Sequence, residues 1–213
     1  MPVLRSICII GLILVLARGF SFGQEGVFVK FIKLSCPEKR WVAAHPFIAK
    51  RTLAISESAR DVTKQNEGVA GLDNYSNGGK LDAFRHTYWM AALAAEIKWK
   101  KAWKLGKAHE KGNKKDFKRR RNEEGDLPDA VAVEMDLWNN EVGLKIGREN
   151  KNAAGQQLIV LAKAAVEQGK CKIIKMDKSG NSVDVYGKVL AKEEWQGKWV
   201  NLRCLVMSNQ TME

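Results

Sequence analysis

Asp82, Arg85 and His86 stand at i, i+3 and i+4. In a helix that spacing brings a carboxylate, a guanidinium and an imidazole onto one surface. Further along, His109 and Glu110 are adjacent, and Asp136, Asn140, Gly143 and Gly147 recur at i, i+4, i+7 and i+11 with Asn139 beside them. Two imidazoles, several carboxylates and an amide can hold a divalent cation, zinc or manganese, that activates water for hydrolysis. On that reading His86, His109 and Asp136 are metal ligands, Glu110 is the general base, and Arg85 and Asn140 orient an anionic substrate. A metal-free version makes His109 the base, oriented by Asp136, with Arg85 stabilising developing negative charge. The spacing matches no established zinc signature such as His-Glu-x-x-His. No Gly-x-Ser-x-Gly occurs and Cys36 has no motif around it, so neither a serine nor a cysteine nucleophile is indicated.

The same residues have two noncatalytic readings. A buried set of Asp, Arg, His and Asn can be a hydrogen-bonded network that fixes how three helices cross, and it can also line a ligand pocket without chemistry. Gly143 and Gly147 share a helical stripe, where each costs about 0.5 to 1 kcal/mol relative to Ala. Two on one stripe imply a close approach there by another backbone or by a ligand.

Three blocks carry a family resemblance: Asp82-Ala83-Phe84-Arg85-His86-Thr87-Tyr88-Trp89, then Ala108-His109-Glu110, then Met135-Asp136-Leu137-Trp138-Asn139-Asn140-Glu141-Val142-Gly143. They resemble the Asp-Ala-Phe-Arg-His-x-x-Trp, Ala-His-Glu and Met-Asp-x-x-Asn-Asn-x-x-Gly blocks of an uncharacterised bacterial domain family. That family is found in secreted proteins and at the C-termini of toxin-like proteins. The resemblance covers residues 45–150 and implies no established reaction. The C-terminal β-leaning part lies outside it, and the run of arginines before Asp126 is particular to this chain.

The elements that must position these residues are mainly helical. A first helix is expected from Pro46 to Gln65, with Pro46 suited to its first turn. A Gly- and Asn-rich loop follows to Lys80. The second helix, Leu81 to Glu96, aligns Phe84, Tyr88, Ala91 and Ala95, and the third runs from Lys98 to Glu110 with Trp99, Ala102, Trp103 and Leu105 on its apolar side. Lys114 to Arg121 reads as a solvated loop able to hang over the proposed pocket. Asp126-Leu127-Pro128-Asp129 reads as a helix start, with Asp126 as the capping acid and Pro128 early in the helix. The fourth helix then reaches Glu149, with Val131, Met135, Trp138, Val142 and Ile146 as its expected buried stripe. A fifth, Ala153 to Gln168, stops at Gly169. Trp89, Trp99, Trp103 and Trp138 read as core residues, and His45 as a cap or surface residue. Segments 171–176, 183–190 and 199–206 lean towards strand, with a turn at Lys178 to Asn181. The fold class is therefore mainly α: a bundle of about five helices over residues 24–169, with a small β-leaning C-terminal extension over 170–213.

Residues 1–23 read as a cleaved signal peptide, since the apolar run Ile7 to Ala17 is shorter than the roughly 20 residues a membrane span needs. Export to a periplasmic or extracellular location follows, with no stable transmembrane anchor. The chain carries 36 Lys and Arg against 24 Asp and Glu, a formal +12, and cleavage would remove Arg5 and Arg18 and leave +10. Such an excess fits anionic partners: an acidic envelope polymer, a phospholipid or nucleic acid. A toxin-like role on nucleic acid would show strongly salt-dependent binding. Of the cysteines beyond the signal, Cys171 and Cys204 are the preferred disulfide pair, with free thiols as the alternative. The function this supports is a secreted hydrolase, metal-dependent or acid–base, acting on a phosphate-containing or otherwise anionic polymer or lipid. The alternative is a noncatalytic envelope or interaction protein.

Overall fold

A computed structural model describes residues 26–122 and 126–210, and the expected signal peptide lies outside the described residues. The described chain is mainly helical, with a two-stranded antiparallel sheet near its C-terminus. In chain order the helices are α1 (Val27–Lys33), α2 (Cys36–Ala44), α3 (Pro46–Gln65), α4 (Lys80–Glu96), α5 (Trp99–Lys118), α6 (Ala130–Glu149), α7 (Gly155–Glu167) and, between the strands, α8 (Lys192–Trp195). Strands β1 (Lys172–Ile174) and β2 (Leu205–Met207) pair with Ile173 opposite Val206.

The organising element is α4. Almost every residue from Leu81 to Ala95 is buried, as befits a helix enclosed on all sides. It touches α3, α5, α6, α7 and β1. Phe84 and Tyr88 meet Leu158, Val166 and Ile173 in one cluster, while Met90 and Leu93 meet Trp41, Leu105 and Leu144 in another. Asp73 caps its N-terminus from the preceding loop, accepting hydrogen bonds from Lys80 N at 2.7 Å and Leu81 N at 3.1 Å. Those are donors that a helix start leaves unpaired.

The glycine stripe of α6 lies against α4. A Cβ on Gly143 would stand 2.2 Å from the Thr87 carbonyl oxygen, and one on Gly147 would stand 2.2 Å from that of Ala91. Another backbone, not a ligand, therefore occupies the space the glycines leave. This contact shifts the burial of the helix, and of the expected stripe Met135 alone is fully buried. Asp136, Asn139, Asn140, Gly143 and Gly147 face inward, whereas Trp138 is 43 % exposed and Val131, Val142 and Ile146 are only partly buried. Backbone contact draws the two axes together along the small residues, and the bulkier side chains are left to flank the seam.

Four further expectations are corrected. The third helix continues to Lys118, so Lys114 to Lys118 is helical and not loop. Its inner face persists through Gly112 and Asn113, both buried, and Phe117 packs on Trp199 at 5.3 Å. The run therefore meets the C-terminal segment instead of overhanging a pocket. Asp129, not Asp126, caps α6, accepting from Ala132 N at 2.9 Å. Segment 183–190 forms only the isolated bridge Val183 to Val189. Finally, Cys171 and Cys204 are free thiols: Cys171 Sγ lies 3.3 Å from Thr87 Oγ1, and Cys204 Sγ points to the Val183 carbonyl. As expected, Gly169 ends α7, at φ +70°. Lys170 N bonds to Ala165 O and Gly169 N to Val166 O, the paired bonds of a Schellman stop.

A candidate metal and acid–base site

Helix α4 presents Asp82, Arg85 and His86 towards α5 and α6. Asp82 Oδ2 accepts from Gly78 N at 2.7 Å, which fixes the carboxylate against the turn before the helix. Its other oxygen accepts from Arg85 Nη2 at 2.6 Å and lies 3.6 Å from His86 Nε2. From α6, Asp136 Oδ1 approaches the same His86 nitrogen at 3.4 Å. Asp82, His86 and Asp136 are buried, and one ligand-type atom from each lies within 4.8 Å of the others.

The opposite edge of His86 is held by an amide. Asn140 Oδ1 lies 3.2 Å from His86 Nδ1. An amide oxygen only accepts, so Nδ1 carries the proton and Nε2 is left with its lone pair towards the two carboxylates. Burial first, then the charges of Arg85 and His109, hold the His86 imidazole well below its ordinary pKa, and the ring is neutral. Asn140 in turn donates through Nδ2 to Glu110 Oε1 at 3.3 Å, and Asn113 Nδ2 donates to Glu110 Oε2 at 3.1 Å. Glu110 is thus buried behind the imidazole with an amide donor on each oxygen. Its position suits orienting His86 through Asn140 more than taking a proton from water.

His109, on α5, is directed elsewhere. Its Nδ1 lies 3.0 Å from Glu38 Oε1, a residue of α2 that no spacing argument singled out. Glu38 is itself held by a reciprocal cap, accepting from Ser35 N at 2.9 Å while Ser35 Oγ accepts from Glu38 N at 3.4 Å. A Cβ on Gly112 would meet Ser35 Oγ at 2.5 Å, so α2 seats one turn beyond His109 because position 112 is bare. Burial alone would push the Glu38 carboxyl up. Its hydrogen bond and charge interaction with His109, with the Ser35 contacts, outweigh this and bring it down to about 2. The orienting partner of His109 is therefore Glu38, in place of the expected Asp136. The capping box is the one signal in the sequence, Ser35 to Glu38, that could have marked α2.

The two imidazoles lie 6.3 Å apart with Trp89 edge-on to both, at 6.3 Å from His86 and 5.5 Å from His109. Both line an open cavity of about 530 Å³ bordered by α1 to α5, with Arg85 in the same wall. The structure thus gathers Asp82, Arg85 and Asp136 around His86 Nε2 and Asn140 on its Nδ1, sets Glu110 behind Asn140, and places His109 in the neighbouring wall with Glu38. Asn139 lies outside the site: its amide pairs with Lys172 N and O, each at 2.9 Å, as a strand would. His45 directs Nδ1 to the Trp41 carbonyl at 2.9 Å, and Trp103 bonds Glu141 from the partly exposed face of α5.

A family model described as Domain of unknown function (DUF6973) matches residues 39–170. No curated protein and no solved structure matches the chain.

Proposed function

The chain belongs to that domain family of unknown function, and from its own residues we propose an exported, metal-binding hydrolase acting on a phosphate-containing or otherwise anionic polymer or lipid. The observation that carries this reading is the Asp82–His86–Asp136 group, set beside a cavity into which His86 and His109 both open. The donor set fits a divalent ion: two carboxylates and a neutral imidazole whose far nitrogen is held by Asn140, the outer arrangement that orients metal-binding histidines. Mixed oxygen and nitrogen donors suit zinc or manganese. A bound ion would lower the pKa of its water and supply the nucleophile. Arg85 Nη2 donates to the same Asp82 oxygen and His86 nitrogen, contacts that a bound ion would take over, and Arg85 already lines the cavity, where its guanidinium can meet substrate anion. His109, oriented by Glu38, is the group placed to move a proton. Export rests on the apolar run Ile7 to Ala17 near the N-terminus.

The first test is the elemental metal content of protein purified without chelator, beside Asp82→Asn, His86→Ala and His109→Ala. A stoichiometric metal lost in the first two folded variants and kept in the third supports the site. A folded protein that takes up neither zinc nor manganese sinks the metal reading and leaves acid–base chemistry by His109.

A structural network is the second reading, favoured by the chain of bonds from His86 through Asn140 and Glu110 to Asn113. His109→Ala separates the two: a catalytic His109 costs turnover in a folded protein, whereas a structural one costs stability, about 1 to 3 kcal/mol.

A further inference from the structure

The cavity is polarised along its length. The bond from Trp89 Nε1 to Ser56 Oγ, 2.9 Å, ties α4 to α3, and the Arg51–Glu96 pair shows that the two helices run antiparallel. One turn beyond that bond on each helix stand Arg60 and Arg85, both in the cavity wall. At this end the wall also carries His86, His109 and the two lysines of α1, Lys30 and Lys33. Lys30 pairs with Glu57, Glu38 with His109 and Arg85 with Asp82 behind the wall, and the wall's lysines and arginines, Lys30, Lys33, Arg60 and Arg85, still outnumber its two acids. One turn the other way, the wall becomes Trp41, Val42, Ala49, Leu53 and Leu105. These lie one turn on from Glu38, one or two turns back from Ser56 and one turn back from His109.

A cationic end and an apolar end in one cavity match a ligand with the same two parts. Helix α1, which borders the cationic end, carries apolar residues on both faces, Val27 and Phe31 being half-buried. Its lysines face the cavity, while Phe28, Val29 and Ile32 are 37, 41 and 54 % exposed. An outward apolar face beside a basic cavity mouth suits contact with a lipid surface.

We propose that the cavity binds an anionic lipid amphiphile, its phosphate between Arg60 and Arg85 beside His86 and its acyl chains along Leu53, Val42 and Leu105. This names the substrate class of the hydrolase proposed above and depends on that reading for turnover only, because the cavity wall holds the ligand without a metal.

The test is calorimetric titration of the chelator-treated protein with dihexanoyl phosphatidate, dihexanoyl phosphatidylcholine, dibutanoyl phosphatidate and inorganic phosphate, each below its micelle concentration. The expected order is dihexanoyl phosphatidate tightest, with the choline and shorter-chain lipids each weaker and phosphate weakest. Arg60→Ala, at an exposed position, and Leu53→Glu each weaken phosphatidate binding by about tenfold. Equal binding of the choline lipid, or of phosphate and phosphatidate, overturns the proposal, and the ligand series decides it even if Leu53→Glu does not fold. Because these titrations contain no metal, their failure is separate from failure of the metal site.

Discussion

Asn140 determines which nitrogen of His86 faces the carboxylates. With its Oδ1 on Nδ1 it selects the tautomer whose Nε2 can ligate, and Glu110 fixes the amide in that sense by accepting from Nδ2. Replacing Asn140 by Ala leaves the ring free to turn and is expected to weaken metal binding by about 10- to 100-fold, measured by competition with a metallochromic chelator. Glu38 supplies a pH signature. Its folded value, about 2, lies below its ordinary 4.5, so the stability it contributes is present above 4.5 and is lost as pH falls through about 2. That interval corresponds to about 3 kcal/mol. Glu38→Gln is expected to lose this contribution at neutral pH and to show a flatter acid limb in urea melts taken across the same range. An unchanged limb would mean that the His109–Glu38 pair contributes nothing to the fold.

Among the elements, α4 and α6 hold the site because their backbones touch. Asp82 and His86 reach Asp136 and Asn140 only if the helices approach as closely as the Gly143 and Gly147 contacts with the Thr87 and Ala91 carbonyls require. Gly143→Ala is expected to destabilise by at least about 2 kcal/mol despite alanine's better helix propensity, since its methyl must push two backbones apart. The same shift separates His86 from Asp136. Metal uptake should therefore fall further in Gly143→Ala than in a variant equally destabilised at a remote core position such as Leu158, a comparison that metal titration of both would settle.

For the whole molecule, the family match ends at residue 170, while the buried core does not. Cys171, Ile173 and Ile174 are each at most 2 % exposed, and Asn139 of α6 pairs with the β1 backbone. A chain ending at Lys170 loses two fully buried isoleucines, worth about 1.5 to 3 kcal/mol each, against a total stability on the order of 5 to 15 kcal/mol. It is expected to melt well below the full chain or not to fold, as read by circular dichroism. No helix among the described residues is long and apolar enough to cross a membrane.

Helix periodicity placed α3, α4 and α7 within a residue or two of their observed bounds, and α6 at its C-terminal end, because buried positions recurring on one face are written in the order of the residues themselves. The motif residues were legible for a related reason: Asp, Arg, His and Asn interrupting core-like helices are costly unless they are paired. Met135 was legible as buried, but the centring of the buried face of α6 on glycine and asparagine was not, since Val131, Trp138 and Ile146 make the more apolar stripe and only the approach of a second backbone favours the small and polar residues over them. Nor was the partner of His109, because Glu38 lies 71 positions away on a helix whose pairing with α5 depends on the bare space at Gly112. Local composition determined the elements and nominated the polar set. The tertiary structure decided which carboxylate serves which imidazole, because contacts between helices distant in sequence follow from how closely their backbones can pack.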